Sequence, residues 1–227
     1  MKKLFFAELI AGLLIVLIGA GTAAIVAGST LILVLPVTGL GFFLAVMLVS
    51  QSVGHISGGH GNPSITVGHL VAGKLDAKTA CTYILAQFIG AVIGGFLIYL
   101  ALTASGQFTA GATGVLGTNI IPEGMLAKAG LFETIITFVF VMIILLVTSE
   151  DNENNHRAPF IIGLALAMLV MLASPITGGS LNAARSFGVA IFERGTALMQ
   201  FPIFLIFPTI GGALAGAVYS IVFADQK

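Results

Sequence analysis

The sequence predicts an all-α membrane protein of six transmembrane helices plus two re-entrant half-helices, arranged as an inverted internal repeat. Three observations predict it. The first is composition: 58% of residues are apolar, 8% are charged and the mean hydropathy is +1.11, far from soluble globular usage and well inside membrane usage. The second is a set of six apolar runs, most of them near the roughly 20 residues that cross a bilayer. The third is a pair of segments, His60-Gly61-Asn62-Pro63-Ser64 and Ser180-Leu181-Asn182-Ala183-Ala184-Arg185-Ser186, one in each half of the chain. Each puts an Asn behind glycines and ahead of a short apolar run, so a helix starts where membrane helices normally do not.

The apolar runs cover 4–27, 34–52, 79–102, 127–147, 160–173 and 201–223. The first follows Lys2 and Lys3 as a signal peptide does, yet it is long enough to span and carries Glu8, so it reads as a retained helix. The fifth is short. Between the second and third runs lies 53–73, and between the fifth and sixth lies 174–194. Both inserts are too apolar for solvated loops and too short to span twice. Irregular backbone is tolerated at membrane depth only where protein buries it or a water-filled cavity solvates it, which makes each insert a half-helix dipping in from one side.

The chain reads as one transmembrane domain over 1–227, with a first repeat of about 1–102, a Gly/Thr-rich outer linker at 103–124 and a second repeat of about 125–227. Glu8 precedes Asn62 by 54 positions and Glu133 precedes Asn182 by 49, each Glu near the start of the first helix of its half. Three spans per repeat is an odd number, so the second half is inverted relative to the first, and inverted repeats place a site at the midplane between discontinuous helices. Lys2, Lys3, Lys74, Lys78, Arg157 and Lys227 fall on one side, Lys128 and Arg194 on the other. The positive-inside rule then predicts cytoplasmic termini and a cytoplasmic connector at 149–157.

Nine basic and nine acidic residues leave no net charge, so nothing points to nucleic acid or an acidic partner. One cysteine, Cys81, excludes an internal disulfide, and no His/Cys spacing resembles a metal site, so no metal or cofactor is expected. An Asn at a helix N-cap satisfies orphan N–H groups, and the helix dipole makes that end electropositive. Two such ends meeting inside a bilayer form a narrow polar site that accepts neutral oxygen-bearing molecules and repels cations.

Over essentially its whole length the chain resembles the aquaporins, or major intrinsic proteins. Gly54-His55-Ile56-Ser57-Gly58-Gly59-His60 followed by Asn-Pro-Ser is similar to the first half-helix motif of that family, which usually has Asn-Pro-Ala. Asn182-Ala183-Ala184-Arg185-Ser186 is similar to the second, with Ala183 in place of proline. The resemblance implies a passive channel for water and small uncharged solutes, glycerol or metalloid acids among them, that excludes protons and ions. It also implies a homotetramer in the plasma membrane and no enzymatic activity. The pore waist is then Asn62, Pro63, Ser64, Asn182, Ala183 and Ala184. The outer filter transfers to Phe42, Val170, Gly179 and Arg185, where small side chains at 170 and 179 imply an opening wider and less polar than in water-selective members. Phe204-Leu205 is intermediate between water channels and glycerol facilitators, and Ser186 stands where glycerol-conducting members usually have Asp. The filter as a whole is similar to nodulin-type channels.

A solute that loses its hydration shell needs partners along one wall, because a bare polar group costs a few kcal/mol. Gly58, Gly59, His60 and Gly61, with Gly178, Gly179, Ser180 and Leu181, can present carbonyls as that ladder, their glycines permitting the backbone angles. Pro63 suits the first helical position; Ala183 lacks its rigidity, so a looser second start is expected. The Ser64 hydroxyl either faces the solute or bonds its own helix. An intramembrane carboxylate is a functional site by default, whereas the resemblance makes Glu8 and Glu133 braces for the half-helix loops. His55 and His60 either line the pore or bond loop backbone; His69 and His156 read as membrane-surface residues and Cys81 as an inert wall thiol. Gly90 and Gly94, with Gly212 and Gly216, have the spacing of close helix crossings. Strict water selectivity is the main alternative. A proton-coupled transporter using Glu8 or Glu133 and an intramembrane hydrolase using Ser57, Ser64 or Ser180 are remoter ones. Osmotic swelling of proteoliposomes separates channel from transporter.

Overall fold

The computed structural model describes residues 1–108, 111–149 and 151–223, so Lys227, Glu150 in the connector and residues 109 and 110 of the linker lie outside the described residues. Six long helices cross: α1 (Lys2–Ile25), α2 (Leu31–Ser52), α4 (Ala77–Ala104), α5 (Leu126–Val147), α6 (Ala158–Thr177) and α8 (Gly195–Val222). Two shorter ones, α3 (Pro63–Val71) and α7 (Ala183–Glu193), dip between them. Single turns at Gly54–Ser57 and Asn155–Arg157 complete the described helical residues, which include no strand. The chain is a multi-pass membrane protein. Its outward faces are apolar at helical spacing: Leu40, Leu44 and Leu48 on α2, and Leu164, Met168 and Leu172 on α6, are all exposed.

Two helices are longer than the hydropathy runs. The fifth extends from the predicted 160–173 to Ala158–Thr177 because Pro159 sits in its first turn, where a missing N–H is harmless, and Pro175 is carried inside its last turn. It stops at Gly178, which adopts a left-handed φ of +76°. The sixth starts at Gly195 rather than 201, since Arg194 (φ +63°) and Gly195 (φ +51°) make a sharp joint directly after α7.

Glycines set the helix spacing. A Cβ built on Gly90 would overlap the Leu9 carbonyl, and one on Gly94 would come within 2.8 Å of the Leu13 carbonyl, so α4 lies against the backbone of α1. On the other side of the molecule Gly212 and Gly216 of α8 meet the carbonyls of Ser64 and Gly68 in α3. Gly95 meets the Gly188 carbonyl, seating α7 on α4. Gly95→Ala therefore forces backbone apart at the base of the second half-helix. We expect it to lower stability by about 1–3 kcal/mol, as overpacking does, read as an earlier unfolding transition in detergent; an unchanged transition contradicts this packing.

The turn into α4 is capped by Asp76, whose carboxylate accepts from Thr79 N at 3.0 Å and Thr79 Oγ1 at 2.6 Å. Those bonds, the side-chain one first, hold its carboxyl below the ordinary value. The cap is thus present at neutral pH and is lost on acidification through that lowered value, whereas a raised value would have reversed the sign. Asp76→Asn, which keeps the acceptor, should flatten this part of the acid dependence while changing neutral stability little; a steeper acid loss in the variant contradicts the cap.

Candidate functional site

The two half-helices point their N-termini at each other. Asn62 caps α3 through Oδ1, which accepts from Ser64 N at 2.8 Å, and Asn182 caps α7 by accepting from Arg185 N at 3.0 Å. The difference of one residue follows from the sequence: Pro63 fixes the first turn tightly, whereas Ala183 lets the cap reach the third amide. α7 begins directly after its Asn, as α3 does, and runs 11 residues against 9 in α3.

Each Asn then uses its amide nitrogen across the centre. Asn62 Nδ2 donates to the Leu181 carbonyl at 2.9 Å and Asn182 Nδ2 donates to the Gly61 carbonyl at 2.9 Å. The two loops are thereby stitched reciprocally, and one proton of each amide remains for whatever passes. The Gly61 and Leu181 carbonyls, expected in the solute ladder, each accept one bond of this stitch.

Both loops are held by a carboxylate from behind. Glu8 accepts from Ser57 Oγ at 2.6 Å, His60 N at 2.9 Å, Gly61 N at 2.8 Å and Gln87 Nε2 at 2.6 Å. Glu133 accepts from Thr177 Oγ1 at 2.6 Å, Ser180 N at 3.0 Å and Leu181 N at 2.9 Å. Gly61 at φ +54° and Leu181 at φ +52° occupy equivalent left-handed positions. Glycine does this freely, whereas leucine costs about 1–2 kcal/mol, which the buried side chain and the Glu133 bond offset.

A cavity of about 290 Å³ runs from the two asparagines toward Lys74 and Thr148. Gly58, Gly59, His60 and Ser180 line it along one side, and Phe42, Val46, Val49, Ile65, Phe140 and Leu166 supply apolar wall. The waist residues Pro63, Ser64, Ala183 and Ala184 are buried behind it. Ser64 Oγ has no partner among the described residues, so neither expected role for that hydroxyl is present; its backbone instead receives Gly212. His69 is not at the surface as expected. It lines this cavity beside His60, seven residues or about two helical turns after the Asn62 cap. His55 and His156 are exposed, and Cys81 faces outward.

The four filter positions meet in two pairs, and of the four only Phe42 lines the cavity. Arg185 lies over the Phe42 ring, 5.3 Å from its centroid, and a Cβ on Gly179 would be 3.0 Å from the Val170 carbonyl. Phe42, Val170 and Arg185 are at most 2% exposed. Residues around Leu116, Asn119 and Ile121 are buried rather than spread over the surface, and Asn119 bonds Arg185 Nη1, Ser186 Oγ at 2.7 Å and the Thr177 carbonyl at 3.2 Å. Sequence reading missed Asn119, along with Ser57, Thr177 and Gln87; only the equal spacing of Ser57 and Thr177 before their asparagines, five residues each, hinted at them. Arg185 Nε is buried and has no partner among the described residues.

A family model for the major intrinsic proteins matches residues 1–219. The chain belongs to that family. Among curated proteins this major intrinsic protein is 38% identical to "Glycerol uptake facilitator protein-like 6" of Lactiplantibacillus plantarum over 95% of each chain. It is 32% identical to Aquaporin Z of Photorhabdus laumondii over the full length of both, and 35% identical to Aquaporin Z of Bradyrhizobium diazoefficiens over 96% of this chain and 92% of that one. Among solved structures the fold matches the aquaglyceroporin from Plasmodium falciparum with a TM-score of 0.79 at 19% identity, covering 97% and 96% of the two chains. A membrane channel with this stitched centre is a passive conduit for water and small uncharged solutes and not an enzyme.

Proposed function

We propose that the chain conducts water together with at least one small neutral solute of the glycerol or metalloid-acid class and excludes protons and ions. The observation that carries this reading is the reciprocal bond between each Asn amide and the opposite loop carbonyl, which leaves two outward donors beside an apolar wall. Arg185 adds a fixed positive charge at the narrow end. The relative named for glycerol uptake supports the solute, and those named Aquaporin Z support water. The pore lies in a plasma membrane with both termini cytoplasmic, as the distribution of Lys and Arg supports, and the subunits assemble as homotetramers with one pore each. Stopped-flow light scattering of proteoliposomes challenged with water, glycerol, urea and an uncharged metalloid acid tests the selectivity; flux of none but water leaves strict water selectivity as the answer.

That second reading has its own support, since the filter is closed down around Arg185 by Asn119. If the linker tightens the filter, Asn119→Ala should raise glycerol flux relative to water flux by about fivefold, the equivalent of one hydrogen bond of about 1 kcal/mol. An unchanged ratio places solute selection elsewhere. A proton-coupled role for Glu8 or Glu133 is disfavoured because loop donors already occupy both oxygens of each.

A further inference from the structure

Two side chains in the cavity are idle in the transport reading. His60 and His69 both line it, with ring centroids 4.4 Å apart and planes tilted by 40°. His69 Nδ1 lies 2.9 Å from the Ile65 carbonyl, which can only accept, so Nδ1 carries the proton and Nε2 a lone pair. His60 Nδ1 lies 3.1 Å from Thr66 Oγ1, which also accepts from Gln87 Nε2 at 2.9 Å. When that hydroxyl gives its one proton to the Asn62 carbonyl at 3.2 Å, it accepts from His60 as well and His60 Nε2 is bare, the tautomer that a metal ion selects.

Two neutral imidazoles, each anchored through Nδ1–H to a hydroxyl or carbonyl oxygen and each keeping a bare Nε2, are oriented as metal-binding histidines are. With metal–nitrogen bonds of about 2.0–2.1 Å, adjacent ligand positions on one ion put ring centres about 4.5 Å apart at a right angle and about 5.2 Å apart in a tetrahedron. The observed separation is nearest the right angle, the geometry that tetragonal Cu²⁺ prefers. No third His, Cys, Asp or Glu joins them among the described residues, so water fills the other positions. Lys74, the charged side chain on the same wall, holds its ammonium over the Tyr219 ring, 4.8 Å from the centroid.

We propose that His60 and His69 chelate a divalent transition ion of the copper class inside the Lys74-side cavity, and that the bound ion blocks the pore. The binding half stands on geometry alone; the blocking half rests on the transport reading. The test uses CuCl₂ on the full-length protein, with MgCl₂ as control. In detergent, electron paramagnetic resonance should show one Cu²⁺ per chain with hyperfine structure from two imidazole nitrogens. In proteoliposomes Cu²⁺ should lower water permeability at least about threefold, reversed by chelator, and His69→Leu should raise the half-inhibiting concentration at least about tenfold relative to its own metal-free flux, the low end of what losing even an outer-shell partner does. His69→Gln repeats the comparison if the Leu variant folds poorly, and a His55→Ala, His156→Ala pair should change nothing. A spectrum with one nitrogen, or inhibition unaltered in the His69 variants, overturns the proposal. A two-nitrogen spectrum in a chain that conducts nothing would instead overturn the transport reading.

Discussion

Arg185→Ala should make the pore leak protons and small cations. The side chain is 1% exposed, lies over Phe42 and is held by Asn119, so its charge is fixed at the narrowest place and poorly screened. At an effective dielectric near 20, a unit charge about 4 Å from the permeation path contributes about 4 kcal/mol, which caps the effect at about a thousandfold in cation conductance. Water flux should rise modestly, because the substitution also opens volume. Asn119 Oδ1 keeps its bond from Ser186 Oγ, so the linker stays seated and the change reads out charge rather than collapse. Quenching of a pH-sensitive dye inside proteoliposomes measures it. Leak equal to that of the parent protein would show that the two helix ends alone exclude ions.

Glu133→Gln should cost far more in folding than in selectivity. The carboxylate is fully buried and accepts from Thr177 Oγ1, Ser180 N and Leu181 N. A glutamine offers one oxygen, and its NH₂ must then face a donor. At least one charge-assisted bond, worth about 1.5–3 kcal/mol, is lost and an amide is left bare at a further cost of about 1–3 kcal/mol. The combined loss of roughly 3–5 kcal/mol approaches the whole stability of many domains. The Leu181 segment is the first to yield, since its left-handed φ of +52° is held partly by that carboxylate. Folded yield and unfolding temperature in detergent measure the effect, and whatever protein folds should keep its water-to-glycerol ratio. Normal yield with abolished transport would instead make Glu133 part of a transport cycle.

Much of this was legible in the sequence because the bilayer allows few solutions. Apolar runs of spanning length can only be helices, and two Asn segments in hydrocarbon have to be buried ends. What remained hidden was set by tertiary contact. The fifth apolar run ends at 173, yet the fifth helix continues past Pro175 to Thr177. The small residues Val170 and Gly179 suggest a wide filter, and only the three-dimensional path of the linker shows Asn119 filling the space beside Arg185. His69 reads as a membrane-surface residue, but α3 turns it into the cavity beside His60. Gln87 carries no local pattern that distinguishes it from other isolated polar residues in membrane helices.

Two helix ends meet at the centre of the fold, each Asn amide bonded to the other loop, and the conducting path runs past them. A density map of the protein in a lipid nanodisc should show Asn62 Nδ2 within hydrogen-bond distance of the Leu181 carbonyl, Asn182 Nδ2 equally close to the Gly61 carbonyl, and ordered water reaching both from the Lys74 side. Asparagines separated by more than a side-chain length, or turned toward acyl chains, would contradict this arrangement.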